Sequence, residues 1–199
     1  MNDHFVAFEA HVLVADDDPI LREFATVHLA TPTVEVEVAE DGVVALEKLQ
    51  TGVFDIALVD LDMPRMDGFS LIRHLRSDPA LCHLPVVVVT GREDMVAIDQ
   101  AYAEGATAFV VKPLNWRLLS HQLAYVLRNS RTEASLRDGL ARAHGLEARK
   151  AQALQSSLGA ITAAARRIEA ATADDAIRAG TQDIARLSDA VRQMHGAKG

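Results

Sequence analysis

The run Ile56-Ala57-Leu58-Val59 is apolar at every position and stops abruptly at Asp60-Leu61-Asp62. Four such residues in a row suit a strand buried on both faces, the situation of a parallel sheet covered by helices on either side. Met63-Pro64 and the turn pair Asp67-Gly68 then break the regular structure. A carboxylate therefore sits at the C-terminal end of a central strand, where the ligand crevice of an open α/β sheet lies. Alone, Asp60 reads equally as a site residue or as the cap of the next helix.

The rest of the first two-thirds of the chain repeats the pattern. His11-Val12-Leu13-Val14-Ala15 is a short apolar strand ending in Asp16-Asp17-Asp18-Pro19. Asp18 before Pro19 is a helix start, a capping carboxylate followed by proline at the first helical position. Val34, Val36 and Val38 alternate with Glu35 and Glu37 as in a half-exposed edge strand. Asp41-Gly42 opens a second helix, and a third runs from about Gly68 to Ser77. Pro85-Val86-Val87-Val88-Val89-Thr90 and Thr107-Ala108-Phe109-Val110-Val111 are the remaining strands, with a helix from Glu93 to Glu104 between them and a fifth beginning at Leu114 or Asn115. Five strands alternating with five helices predict a doubly wound parallel sheet with right-handed crossovers.

Composition narrows the function classes. Apolar residues make up 49% of the 199, the proportion of a globular chain. Cys82 is the single cysteine, which leaves no internal disulfide and no zinc-ligand spacing. The N-terminus MNDHFVAFEA lacks the basic region and apolar core of a signal peptide, and no apolar run approaches a membrane span, so a soluble, cytoplasmic protein is expected. Residues 1–129 hold 9 Lys+Arg against 20 Asp+Glu, whereas residues 130–199 hold 11 against 8. An acidic front half argues against nucleic-acid affinity, which needs clustered cations.

The polar residues at the strand ends form a chemical set. Asp16 and Asp17 end the first strand, Asp60 the third, Thr90 the fourth, and Lys112 follows the fifth. A parallel sheet gathers all of them at one edge. Carboxylates crowded into one pocket repel one another, and a hard divalent cation such as Mg2+ resolves the conflict. A hydroxyl and an ammonium opposite the cation suit a phosphoryl group, whose oxygens they would neutralise.

The segments VADDD, VDLDMP, VVVVTG and FVVKP, in this order and spacing, resemble the receiver domain of two-component response regulators over about residues 10–129. The resemblance implies a (βα)5 flavodoxin-like fold and Mg2+-dependent phosphoryl transfer from a histidine kinase or histidine phosphotransfer protein. It implies Asp60 as the phosphoacceptor, Asp17 as a direct Mg2+ ligand and Asp16 acting mainly through a metal-bound water. Asp60 is also a Mg2+ ligand, the backbone carbonyl of Asp62 is then the third protein ligand, and Asp18 only a cap. Thr90 and Lys112 would each meet a phosphoryl oxygen. Pro113 matches a position where a cis peptide is usual, and Phe109 the aromatic switch position. Asp62 and Arg92 match positions that tune phosphoryl lifetime, and their opposite charges suggest a bridge across the site mouth. Beyond self-phosphorylation and dephosphorylation, no enzyme activity is expected.

Residues 130–199 read as a helical hairpin. Leu154, Leu158, Ile161, Ala165, Ile168 and Thr172 follow heptad steps, and Ile177, Gly180, Ile184, Leu187, Val191 and Met194 form a second seam after a turn near Ala171–Asp175. Gly139, Gly145 and Gly159 weaken the first helix somewhat, and a long helix, straight or kinked, folding back as a hairpin is expected. Two helices with one apolar stripe each are covered by pairing two hairpins into a four-helix bundle, giving a C2 homodimer, or by packing one hairpin on its own receiver; the dimer is the favoured expectation. The tail faintly resembles the dimerisation and phosphotransfer hairpin of sensor kinases, but Gln152 falls where a phosphoacceptor histidine is needed. Two readings follow: a phosphorelay regulator acting by association through its tail, or a receiver fused to a degenerate or active phosphotransfer bundle using His144 or His195. A DNA-binding regulator is disfavoured by the charge and by the lack of a helix-turn-helix pattern.

Overall fold

A computed structural model describes residues 8–91, 95–171 and 175–196, the side chains of a few residues in 175–196 excepted. The elements follow as β1 (Ala10–Ala15), α1 (Pro19–Leu29), β2 (Val34–Ala39), α2 (Gly42–Thr51), β3 (Ile56–Val59), α3 (Gly68–Ser77), β4 (Val86–Thr90), α4 (Met95–Ala103), β5 (Ala108–Val111), α5 (Trp116–Ala171) and α6 (Asp175–Gly196). All strand pairs are parallel, in the order β2-β1-β3-β4-β5. The chain divides into two compact units, Met1–Glu133 and Ala134–Gly199, with the boundary inside α5.

In the first unit both sheet faces are covered, which explains the unbroken apolar runs. Leu13, Ala57, Val59, Val86 and Val88 face Leu49, Leu71, Ile72, Leu75 and Ala101 of α2, α3 and α4. Val12, Val14, Ile56, Leu58, Val87 and Val89 face Ala25, Leu29, Leu119, Leu123 and Leu127 of α1 and α5. β2, which alternates valine with glutamate, is an edge strand with Glu35 exposed. Phe109 is half-buried against the first of these cores. Trp116 packs on the second, its ring stacked on His28 with centroids 5.4 Å apart.

Aspartates at helix starts fix where each connection turns. Asp18 accepts from the Ile20 N–H at 2.9 Å and Asp67 from the Ser70 N–H at 2.7 Å. Asp41 is buried and accepts from the N–H groups of Val43 (2.9 Å) and Val44 (3.0 Å) while pairing with the Arg65 guanidinium. α5 begins at Trp116, later than expected, because Asn115 acts as its cap and accepts from the Leu118 N–H at 3.0 Å. The helix expected over Glu93–Glu104 spans Met95–Ala103, residues 92–94 lying outside those described.

Burial alone would push the Asp41 carboxyl upward. The Val44 N–H, Arg65 and the Val43 N–H outweigh it and hold the carboxyl below its ordinary value. A depressed folded-state pKa contributes stability above the unfolded value near 4, lost as pH falls through the folded one. Asp41→Ala is expected to cost about 2 kcal/mol at pH 7, from a lost cap and a lost charge-assisted bond. Urea unfolding at pH 7 and pH 3 checks this; the variant should lose less stability than the parent across that interval.

In the second unit α5 continues as helix through Gly139, Gly145 and Gly159. A glycine costs only about 1 kcal/mol in a helix interior, which the rest of a long helix absorbs. The expected turn near residues 171–175 includes 172–174, outside the described residues. The part of α5 after Leu154 and α6 pack as an antiparallel pair. The hydroxyls of Thr162 and Ser188 meet at 2.9 Å, and Gln182 donates to Glu169 at 2.6 Å. Buried between the helices are Thr162, Ala165, Thr181 and Ser188, while Ile161, Ile168, Ile177 and Ile184 are about half exposed. The expected seams are therefore split: small and polar residues lie inside, and the isoleucines remain on the outside.

Candidate functional site at the carboxyl edge of the sheet

Register assembles the site. β1 lies between β2 and β3, so the crossovers leave it in opposite directions and open a crevice beyond β1 and β3. The ladder continues one residue past the strands, with the Asp60 N–H donating to the Ala15 carbonyl at 2.9 Å and the Asp16 N–H to Ala39 at 3.1 Å. Asp16 and Asp60 are thereby neighbours. On the other side the Lys112 N–H donates to the Thr90 carbonyl at 2.9 Å, bringing β5's end to the same edge.

The side chains converge accordingly. One carboxylate oxygen each of Asp16, Asp17 and Asp60 lies within 4.8 Å of the others. Asp16 and Asp60 are buried, whereas Asp17 is exposed. The Lys112 ammonium reaches over both buried carboxylates, 2.8 Å from Asp16 Oδ2 and 2.7 Å from Asp60 Oδ2. Thr90 is fully buried at the end of β4, and the Lys112–Pro113 peptide is cis. Asp62 is exposed in the loop after β3. Its N–H approaches Asp60 Oδ1 at 3.4 Å. Arg92, the proposed partner of Asp62, lies outside the described residues.

The electrostatics follow from burial and pairing. Burial raises the Asp16 carboxyl above its ordinary value, opposed by the Lys112 ammonium and the Asp18 N–H. Burial also works to lower Lys112, but its hydrogen bonds and charge interactions with Asp16 and Asp60 prevail and raise it. One ammonium thus partners two buried carboxylates, with the third beside them. The donor set is all oxygen and two positive charges short of neutrality, which fits a hard divalent cation.

A raised carboxyl disfavours folding as pH rises past the unfolded value, since the native state then gives up a proton it holds more tightly. Asp16→Asn is therefore expected to raise the unfolding temperature of the metal-free protein at pH 7.5. The same change should weaken Mg2+ binding by roughly tenfold or more. Calorimetric unfolding in chelator and Mg2+ titration would check the two effects separately.

Supporting residues had no signal in the sequence. Arg22, one turn into α1, donates to the carbonyls of Asp16 (2.6 Å) and Asp17 (2.9 Å) and clamps the loop that carries them. Arg65, with a positive φ of 62°, ties the loop after Asp60 to Asp41 and to Glu40. Arg76 donates to the Gly105 carbonyl at 2.7 Å and to that of Leu84 at 2.9 Å, bracing the loops on either side of β4 and α4. A cation aimed at backbone carbonyls reads in the sequence as one more surface charge. Other candidates are dispersed. Cys82 is half-buried, its Sγ 3.5 Å from the Pro79 carbonyl, and His144 is exposed on α5. The His195 side chain is outside the described set.

A five-stranded parallel sheet with an acidic crevice at its switch point, bridged by a lysine, defines a flavodoxin-like class of domain with its site beyond the strand ends. Residues 12–124, more than half the chain, match the response regulator receiver domain, and the chain belongs to that family. It is 37% identical over 101 residues to a gliding motility regulatory protein of Myxococcus xanthus, covering 51% of this chain and 13% of that one. It is 31% identical over 122 residues to the heme response regulator HssR of Staphylococcus epidermidis, covering 61% of this chain and 53% of that one. The chain thus spans about half or less of the length of these relatives. Among solved structures it resembles the chemotaxis protein CheY4 of Vibrio cholerae, with 33% identity, a TM-score of 0.57, and coverage of 60% of this chain and 99% of that one. A CheY-like receiver domain protein of Methanospirillum hungatei superposes with a TM-score of 0.59 at 25% identity, over 63% of this chain and 99% of that one. Receiver domains of this family accept phosphoryl groups on aspartate, bind Mg2+ and interact with histidine kinases or phosphotransfer proteins. Among the described residues no helix is long and apolar enough to cross a membrane.

Proposed function

We propose that this chain is a cytoplasmic phosphorelay response regulator that takes a phosphoryl group on Asp60 and signals by association of its helical tail, as a homodimer. The carrying observation is the meeting of Asp16, Asp17, Asp60 and Lys112 in one crevice. Asp60 attacks the phosphorus of a phosphohistidine, an O–P bond forms as the P–N bond breaks, and the imidazole leaves with the donor protein. Lys112, already 2.7 Å from Asp60, passes from the carboxylate to a phosphoryl oxygen. Thr90, at the end of the neighbouring strand, donates its hydroxyl to another. Asp16, Asp17 and the Asp62 carbonyl would hold Mg2+, which supplies charge neutralisation for the incoming phosphoryl oxygens. No further catalysis is assigned to the chain.

The donor docks beside the site. α1 starts at the acidic loop and exposes Ile20, Phe24 and Val27 at helical spacing, an apolar stripe fit for a helical partner. The signal then passes through α5, which belongs to both compact units. A phosphoryl group on Asp60 draws Lys112 and Thr90 inward and biases an existing equilibrium of the β4, α4, β5 and α5 region. Radiolabelled phosphotransfer from a histidine-phosphorylated donor is the test. Label should enter only with Mg2+ present and be released by hydroxylamine, as an acyl phosphate is. Label that resists hydroxylamine, or enters equally in chelator, would overturn the reading.

A further inference from the structure

We propose that the hairpin of α5 and α6 carries its dimer interface on one defined flank, formed by Leu154, Ile161, Ile168, Ile177, Ile184 and Val191, and that a second copy of this chain covers it. The inference rests on the reading above and goes further by naming the surface.

The hairpin already turns one line of residues on each helix toward the other. On α5 the residues turned to α6 are Leu158, Thr162, Ala165 and Glu169; on α6 they are Thr181, Ala185, Ser188 and Arg192. At 100° per residue, Leu154, Ile161 and Ile168 then lie about 70° to one side of that contact line on α5, and Ile177, Ile184 and Val191 lie about 70° to the same rotational side on α6. In an antiparallel pair, equal rotations about oppositely directed axes point to the same flank. Both sets therefore converge on one face.

Their spacing is seven residues on each helix, the period of a left-handed coiled-coil seam, which needs helices opposite it. Leu154 is 39% exposed, Ile161 47%, Ile168 50%, Ile177 49% and Ile184 48%, so each is half covered by its own hairpin and half available. Among the described residues of the hairpin, the buried ones are Thr162, Ala165, Thr181 and Ser188. A hairpin that keeps its small and polar residues inside and its isoleucines outside is built to be covered.

Size and charge favour a second copy. Eighteen residues of α5 from Leu154 and the 22 of α6 give helices of about 27 and 33 Å at 1.5 Å per residue, set about 10 Å apart. Such a face offers roughly 550 Å2, so two of them bury about 1,100 Å2, just above the ~1,000 Å2 expected of a biological interface. Residues 154–171 and 175–196 together hold 5 Lys+Arg against 4 Asp+Glu. A hairpin of near-zero net charge has little net field to attract a strongly acidic or basic partner and little to repel its twin.

The test is light scattering of the full chain across a concentration series, for the parent, Ile161→Lys/Ile184→Lys, and Val53→Lys as a surface control. The parent and control should show twice the 21.5 kDa chain mass, and the double variant should raise the dissociation constant at least about a hundredfold. Far-UV circular dichroism checks the fold. Should the lysines melt the helices, Ile161→Ala/Ile184→Ala, with high helix propensity, must shift the constant in the same direction. A parent that stays monomeric overturns the interface, as does a double variant that remains fully dimeric. Phosphoryl uptake measured on the same samples separates the outcomes, since a monomer that is labelled at Asp60 sinks the interface and leaves the receiver reading standing.

Discussion

Asp60→Asn should abolish phosphoryl incorporation while leaving the fold intact. Asparagine keeps the shape and the acceptor oxygen that faces the Asp62 N–H, but its amide is no nucleophile toward phosphorus. The change also removes one of the two carboxylates that share Lys112, so the ammonium pairs with Asp16 alone and crowding of like charge falls. Label transfer is expected to drop by at least about a thousandfold, to the background of unactivated side chains, because the nucleophile that Lys112 bridges is gone. Phosphotransfer with autoradiography measures the loss, and unfolding by heat measures the fold. Persisting label would place the acceptor elsewhere, and His144 would be the residue to change next.

Gly68→Ala should destabilise the receiver unit by about 1–2 kcal/mol, although alanine is the better helix former. Gly68 opens α3, and a Cβ there would stand 2.3 Å from the Asp60 carbonyl oxygen and 2.9 Å from the Leu61 Cα. Both are backbone atoms of the segment that carries the phosphoacceptor, so no side chain can swing aside to make room. The Gly68 N–H also donates to the Leu61 carbonyl at 3.0 Å, which holds the two segments at that distance. Better helix propensity returns about 1 kcal/mol, while overpacking a rigid contact costs about 1–3 kcal/mol or more. The clash should win. Chemical denaturation gives the stability, and Mg2+ titration of the folded fraction reports whether the loop after Asp60 has shifted. An unchanged midpoint would mean that α3 slides away from β3 without cost.

How much of this could be read from the chain alone depends on how locally each feature is encoded. The runs at Ile56–Val59 and Val86–Val89 are apolar throughout because both faces of β3 and β4 are covered, and that burial is written in consecutive residues. Asp18, Asp41 and Asp67 sit at helix starts, where a short carboxylate satisfies free N–H groups two or three positions later. The acidic crevice was legible for a related reason: parallel strands all end at one edge, so residues far apart in sequence share a place once the alternation of strands and helices is known. Arg22, Arg65 and Arg76 were not legible, because their partners are backbone carbonyls and a buried carboxylate set by loop shape.

The tail shows the opposite balance. Heptad spacing determined that residues after Leu154 form apolar-striped helices. It did not determine which residues of each stripe face the neighbouring helix. Only the packed pair decided that Thr162 meets Ser188 and that Ile161 and Ile184 stay outside. A stripe is a property of one helix, whereas the rotation of that helix about its axis is fixed by the close approach of two. Sequence by itself determined the elements, their order and the chemistry gathered at the sheet edge, since these follow from neighbours along the chain. Tertiary structure alone decided which cation braces which loop and which flank of the hairpin is left uncovered, since those depend on distances between segments that the chain encodes only collectively.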